Sequence, residues 1–220
     1  MKNKRLYITD LDGTLLQRDG TLSEFSKSAL TEMLSHKLPF TVASARSIAS
    51  MKPILEGLTF HLPVISFNGG FISDLATGRH HFTNQLSPKV SEDLLGLIAE
   101  SDSEPFISTF NGEKECLYYK QIINAGMQWY FDDRRLHKDK RLHYLHDLRT
   151  SMSDQVICFT VIGKEKSLSE LKAKIEKRHA GEIITQFYEN QYSRGWNWLS
   201  IHDYKATKGN AIRTLTQNWG

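Results

Sequence analysis

The chain has 220 residues, which corresponds to one large domain or two small ones at about 150 residues per domain. Its 28 Lys and Arg residues and 25 Asp and Glu residues give a net charge of +3, which is far less basic than a nucleic-acid-binding tail. Hydrophobic residues make up 40% and charged residues 24%, values that exclude a disordered chain. There is no apolar run of about 18 residues, and the run after Arg5 is too short for a signal peptide. Cys116 and Cys158 form no CxxC motif, so we expect a cytoplasmic protein without a disulfide scaffold.

The first third of the chain alternates short apolar runs with amphipathic segments. Strands are predicted at 6–9, 39–43 and 63–67, and helices at 23–36 and 44–57. This order requires right-handed crossovers and a parallel sheet, and therefore an α/β fold. Ligands of such sheets bind at the carboxyl ends of the strands.

The middle of the chain has a different pattern, in which helices alternate with antiparallel strand pairs. The predicted elements are a hairpin at 71–82, helices at 87–101, 167–179 and 207–217, and strands at 106–110, 116–121, 155–162, 181–188 and 196–202. We interpret the middle as a second, α+β domain inserted into the first. The predicted domains are residues 1–82 with 204–220, and residues 83–203.

Two carboxylates follow the first strand directly. Alternate residues of an extended chain point the same way, so Asp10 and Asp12 are expected to emerge together. An acidic turn is the simpler interpretation, because Asp-Gly is common turn chemistry. The chemical interpretation is an aspartyl-phosphate route, which uses one carboxylate as nucleophile and has a second beside it.

Other polar groups are expected at the same edge of the sheet. Ser44 and Arg46 follow the second strand, Asn68 and Gly69 follow the third, and Lys208 begins the last helix. Taken singly, these read as a helix cap with a surface arginine, a plain turn and a solvated lysine. Taken together, hydroxyl, cationic and backbone N–H groups are what a phosphoryl group needs.

These segments resemble the haloacid dehalogenase superfamily of phosphohydrolases, specifically the Cof-like group with a type IIB cap. The similar segments are 7–16 (YITDLDGTLL), 42–46 (VASAR), 66–70 (SFNGG) and 206–211 (ATKGNA). The second segment has Ser-Ala-Arg where the family more often has Thr-Gly-Arg. The resemblance implies a Rossmann-like core, with residues 83–203 in the place of the cap.

The resemblance also implies roles for individual residues. Asp10 is the nucleophile, Asp12 the acid and base, Ser44 a phosphoryl-binding group and Lys208 the cation that offsets developing charge. The implied substrate-binding residues are Gly13, Thr14, Arg46, Asn68 and Gly69. The implied cofactor is Mg²⁺, held by the Asp10 carboxylate, the Asp12 main-chain carbonyl and a later acidic pair.

That later acidic pair is missing, because nothing after Lys208 is acidic. Asp203 precedes the lysine and is a poor substitute. The expected core therefore lacks its last strands and leaves the first strand as an open edge, which a second copy of the chain could cover.

The implied function is a Mg²⁺-dependent phosphatase acting on a small phosphorylated metabolite, such as a sugar phosphate, with no nucleic-acid or membrane partner. Two alternatives stay open. One is a phosphotransferase or mutase, and the other is a truncated, catalytically impaired member that acts as a binding protein.

Further patterns in the inserted region are explained more simply by surface charge or core packing than by a binding site. The cationic stretch 134–149 predicts a charged helix face rather than a nucleic-acid patch, because acidic residues offset it. His143 and His146 within it lack the acidic neighbours of a zinc site. Trp196 and Trp198 face one side of a strand, which favours core packing over substrate binding.

Overall fold

The computed structural model describes residues 5–190 and 193–219. Contacts divide the chain into a first unit, Met1–Asn84 with Lys205–Gly220, and a second unit, Gln85–Tyr204. No helix in the described ranges is long and apolar enough to span a membrane.

Eleven strands and six helices make up the described regular structure, apart from short helical turns. The strands are β1 (Tyr7–Thr9), β2 (Phe40–Val42), β3 (Val64–Ser66), β4 (Phe71–Ser73), β5 (His80–Thr83), β6 (Pro105–Phe110), β7 (Glu115–Tyr119), β8 (Leu142–Tyr144), β9 (Gln155–Gly163), β10 (Ile183–Glu189) and β11 (Asn197–Asp203). The helices are α1 (Glu24–Ser35), α2 (Ile48–Ile54), α3 (Pro88–Ala99), α4 (Ala125–Leu136), α5 (Glu165–Arg178) and α6 (Lys208–Trp219).

Parallel strands organise the first unit. β1 pairs in parallel with β2, and a single parallel bridge between Ala43 and Ile65 joins the end of β2 to β3. β3, β4 and β5 then form an antiparallel sheet. The predicted α/β fold with parallel strands is confirmed, and the carboxyl ends of β1, β2 and β3 follow one another along the same edge.

Two apolar clusters pack against these strands. α1 is capped by Ser23, whose hydroxyl accepts from the Ser26 N–H at 3.0 Å, and it buries Leu30 and Leu34 against Val42. In a second cluster, Ala211 and Leu215 of α6 pack against the strand residues Ala43, Ile65 and Ile72. Because adjacent strand residues point to opposite faces, Val42 and Ala43 serve different clusters. This packing fixes α6, and therefore its first residue, against the sheet.

The helix predicted from residue 44 begins four residues later. α2 starts at Ile48, and Ser47 rather than Ser44 caps it by accepting from the Ser50 N–H at 3.2 Å. The Ser44 N–H instead donates to the Ile65 carbonyl at 2.9 Å, which continues the strand pairing. The prediction of Ser44 as a helix residue is wrong, and Ser44 and Arg46 lie in a loop.

The second unit is a six-stranded sheet in the order β10-β11-β9-β6-β7-β8. All neighbours are antiparallel except β7 and β8. α3 and α5 pack on one face, where Leu94 and Ile175 meet Phe159. α4 packs on the opposite face, where Met127 meets Ile162.

The charged helix face predicted for the stretch 134–149 is present only at its start, where Arg134 and Arg135 lie in the last turn of α4, and the prediction is wrong for the rest of the stretch. α4 ends at Leu136, β8 follows, and a short helical turn occupies Leu148–Ser153. Arg141 explains the error, because its side chain is buried and bonds to Asp139 at 2.6 Å and Glu115 at 3.0 Å. A buried, paired arginine in a polar stretch looks like solvated surface when only the sequence is read.

The two tryptophans lie among aromatic and cationic neighbours of the second unit. The Trp198 ring centroid is 5.1 Å from that of Tyr130 and 6.0 Å from that of Trp129. The Lys164 ammonium lies 3.7 Å from the Trp196 ring centroid. These contacts support the core-packing interpretation.

A buried histidine makes the stability of the second unit depend on pH. His202 is 2% exposed, and burial lowers its pKa from 6.5 to about 4. The unfolded chain therefore binds the proton more readily than the folded chain, and stability falls as pH drops from about 6.5 toward 4. A shift of this size corresponds to about 3 kcal/mol. We expect His202→Gln to reduce the fall in unfolding free energy between pH 7 and pH 5, measured by urea denaturation. Part of the fall should remain, because burial also lowers the pKa of His80 to about 4.

The control for this prediction is His36→Gln, because His36 is exposed. It should keep the wild-type dependence on pH. An unchanged slope in His202→Gln would show that other groups produce the acid sensitivity.

Candidate active site

An ion pair between the first strand and the last helix lies at the centre of the site. Asp10 follows β1, and one of its carboxylate oxygens accepts from the Lys208 Nζ at 2.6 Å. The other oxygen accepts from the Leu11 N–H at 2.7 Å. The Asp10 and Lys208 side chains are 40% and 32% exposed, so a ligand from solvent can reach the pair.

A second ion pair holds the other carboxylate. The Arg46 Nε and one terminal nitrogen donate to the two oxygens of Asp12 at 2.8 and 2.7 Å. This two-point geometry fixes both the position and the plane of a carboxylate. The two carboxylates of the first motif therefore have separate cationic partners.

The turn after β1 brings Asp12 to the surface. Residues Leu11–Leu15 form a wide helical turn, closed by the Leu16 N–H on the Leu11 carbonyl. Gly13 has φ +71°, a left-handed conformation that suits glycine, and Gly13 and Thr14 are both exposed. Leu11 is fully buried and anchors the turn.

Ser44 lies in the loop after β2 and is fully buried. Its hydroxyl accepts from the Arg46 N–H at 3.1 Å, and its carbonyl accepts from the Asn68 N–H at 2.9 Å. The Arg46 carbonyl accepts from the Phe67 N–H at 3.0 Å. The loops that follow β2 and β3 are therefore bonded directly to each other.

The loop after β3 also touches the segment before α6. Gly69 is buried with φ +105°, and a Cβ placed on it would lie 2.5 Å from the Thr207 carbonyl oxygen. Asn84 holds the same loop, because its side-chain amide donates to the Gly69 carbonyl and its N–H to the Gly70 carbonyl, both at 2.8 Å.

The structure brings together most of the residues named from the sequence. Asp10 meets Lys208, Asp12 meets Arg46, and the Ser44 loop meets the Asn68 loop. Gly69 faces the Thr207 backbone, and its carbonyl accepts a hydrogen bond from the Asn84 side chain. Sequence reasoning missed Asn84, which directly follows β5 and belongs to none of the four motifs.

Oxygen donors for a metal are few in this site. Among residues 5–190 and 193–219 no three His, Cys, Asp or Glu side chains lie close enough to hold a metal ion. Asp10 and Asp12 are the carboxylates of the site, and each already carries a cationic partner. Asp203, the residue considered as a substitute, ends β11 in the second unit.

Chemically, the site offers a partly exposed carboxylate beside a lysine, and a second carboxylate beside an arginine. A phosphate ester that enters it would meet two cations and the backbone N–H groups of the exposed turn at Gly13 and Thr14. Anions bind to such groups, and charge that develops on them is stabilised by them.

Comparisons with known proteins give matches along nearly the whole chain. The family model of haloacid dehalogenase-like hydrolases matches residues 7–220. The HMP-PP phosphatase of Cronobacter sakazakii is 25% identical over 220 residues, covering 98% of this chain and 73% of that protein. The 5-amino-6-(5-phospho-D-ribitylamino)uracil phosphatase YitU of Bacillus subtilis is 20% identical over 221 residues, covering 98% and 75%.

A solved structure shares the fold. The crystal structure of a haloacid dehalogenase-like hydrolase from Bacteroides thetaiotaomicron matches with a TM-score of 0.75 at 18% identity. The match covers 97% of this chain and 76% of that one. The chain thus spans about three quarters of the length of these three proteins.

Proposed function

Because the chain belongs to the haloacid dehalogenase-like hydrolase family, we propose that it hydrolyses a small phosphorylated metabolite through an aspartyl-phosphate intermediate. The observation that carries this proposal is the Asp10–Lys208 pair at 2.6 Å, with Asp10 at the carboxyl end of β1. Family membership and the phosphatase names of relatives support a phosphoric monoester hydrolase.

In the first step an Asp10 oxygen forms a bond to phosphorus while the bond from phosphorus to the ester oxygen breaks. Lys208 stabilises the negative charge on Asp10 and on the phosphoryl oxygens. The leaving oxygen takes a proton from Asp12. In the structure Arg46 donates hydrogen bonds to both carboxylate oxygens of Asp12. At least one of these bonds must break when an Asp12 oxygen carries the proton.

In the second step a water oxygen attacks the phosphorus of the aspartyl phosphate. Asp12 accepts the water proton, the bond from Asp10 to phosphorus breaks, and inorganic phosphate leaves. Ser44 and the backbone N–H groups near Gly13 and Thr14 would hold the phosphoryl oxygens. The second unit stands in the chain where the family resemblance implies a cap, and we infer that it influences which substrate is accepted.

Mg²⁺ is the cofactor that family membership suggests, with Asp10 and the Asp12 carbonyl as its first ligands. Mg²⁺ prefers octahedral oxygen ligation from carboxylates, water and substrate phosphate. The described residues do not fit a complete site, because Lys208 already bonds the Asp10 carboxylate and no group of three His, Cys, Asp or Glu side chains among them lies close enough to hold a metal ion. The steps above therefore use the protein's own groups, and this donor set is the observation that favours an impaired, phosphate-binding member as second candidate.

We expect Asp10→Asn to abolish turnover of an aryl phosphate and Asp12→Asn to lower it by about 100-fold or more. An aryl oxide leaves without a proton donor, so Asp12→Asn should slow mainly the second step. The phosphorylated protein should then accumulate, and mass spectrometry after rapid quenching should locate the phosphoryl group on Asp10.

The matched control is Asp19→Asn, because Asp19 lies in an exposed turn of the same unit and bonds to Thr21. It should keep wild-type turnover. Near-normal activity in Asp10→Asn, or phosphate found on another residue, would exclude the proposed nucleophile.

A second prediction concerns Mg²⁺. We expect this chain to bind Mg²⁺ weakly in calorimetric titration and to hydrolyse esters slowly, because Lys208 competes for Asp10. Lys208→Met should strengthen Mg²⁺ binding by about tenfold, since it removes a positive charge beside the carboxylate, and should weaken inorganic phosphate binding.

Lys27→Met is the control, because Lys27 is exposed on α1. It should change neither affinity. Tight Mg²⁺ binding with rapid turnover in the wild-type chain would contradict the prediction, and Asp203 would be the next residue to substitute.

A further inference from the structure

Gly69 makes the tightest backbone approach near the candidate site. Its ideal Cβ would lie 2.5 Å from the carbonyl oxygen, 2.8 Å from the carbonyl carbon and 3.0 Å from the nitrogen of Thr207. These neighbours are backbone atoms, so no side-chain rotation can relieve the contact. The φ of +105° is a second reason why another residue would be strained there.

Thr207 directly precedes α6 and caps its first turn. Its hydroxyl accepts from the Asn210 N–H at 3.0 Å, and its carbonyl accepts from the Ala211 N–H at 3.0 Å. The carbonyl that faces Gly69 is thus the first acceptor of the helix. Lys208 is the next residue, so the contact between Gly69 and Thr207 also restricts where the Lys208 backbone can lie.

The Gly69 loop is fixed from the other side. Asn84 bonds the Gly69 and Gly70 carbonyls, and the Asn68 N–H bonds the Ser44 carbonyl. A side chain at position 69 therefore cannot be accommodated by a shift of this loop alone. Relief of the contact therefore also requires a displacement of the Thr207 backbone, against the packing that holds α6 on the sheet.

We propose that Gly69 is a positioning residue that sets the Lys208 ammonium against the Asp10 carboxylate, and that Asn84 holds Gly69 in place for this purpose. The kinetic part of this inference rests on the proposed phosphatase function, whereas the geometric part does not. Gly69→Ala would move Thr207 by about 1 Å to reach normal contact distance. A displacement of that size at a catalytic group can cost about 100-fold in rate.

The geometric test follows the Lys208 side chain by NMR in protein labelled with ¹³Cε and ¹⁵Nζ lysine. Its signal is assigned as the one lost in Lys208→Met, and Asp10→Asn shows where it moves when the ion pair is absent. In Gly69→Ala the signal should move in the direction seen for Asp10→Asn and should respond little to a further Asp10→Asn change. A Lys208 signal that coincides with wild type in folded Gly69→Ala overturns the proposal.

Two variants separate positioning from general damage. Gly57→Ala is the control, because Gly57 has φ +85° in the same unit but its Cβ would meet only the Lys27 side chain at 3.8 Å. It should leave the Lys208 signal in place. Asn84→Ala frees the loop without adding volume, and a smaller shift in the same direction is expected even if Gly69→Ala fails to fold.

The kinetic test is a double-mutant cycle with Lys208→Met. Gly69→Ala alone should lower kcat by about 10-fold to 100-fold and change KM by less than about threefold. In the Lys208→Met background the same substitution should change kcat by less than about twofold. Fully multiplicative effects would show that Gly69 does not act through Lys208. If the wild-type chain hydrolyses no ester, the proposed function fails while the NMR result still decides the positioning role.

Discussion

The site depends on one ion pair that joins the two ends of the chain. Asp10 and Lys208 are 198 positions apart, and only the packing of α6 on the sheet brings them within 2.6 Å. A partly exposed pair of this kind contributes about 0–1 kcal/mol to stability. The pair is therefore of little value for folding. Its consequence is local, because it places a cation where the nucleophile and a phosphoryl group would both carry negative charge.

The same packing explains how the other charges are placed. The loops after β2 and β3 bond each other through main-chain groups, and the second of them presses on the segment before Lys208. The backbone of Arg46 and the residue before Lys208 thus both contact the loop that contains Gly69. A rigid connection of this kind suits phosphoryl transfer, in which positioning and charge provide most of the catalysis.

The site differs from a simple metal centre in that its carboxylates are paired with cationic side chains. Each carboxylate has its own cation, so the pairs are neutral as they stand. An incoming phosphate dianion must compete with Asp10 for Lys208 and with Asp12 for Arg46. Mg²⁺ must compete with Lys208 for the Asp10 carboxylate, so a cation at this position favours phosphate and disfavours the metal ion.

The sequence by itself determined the α/β class and the residues of the four motifs, because strand ends, glycines and charged groups at fixed spacings are local features. It missed β8, since the adjacent Arg141 is buried and paired with Asp139 and the distant Glu115, which a polar stretch of sequence does not show. It also placed the start of α2 at Ser44, because either Ser44 or Ser47 can cap a helix and only the bond from Ser44 to Ile65 excludes the first. Which cation pairs with which carboxylate, and the contact of Gly69 with Thr207, were decided by tertiary structure alone, since both require the last helix to lie against the loop after the third strand.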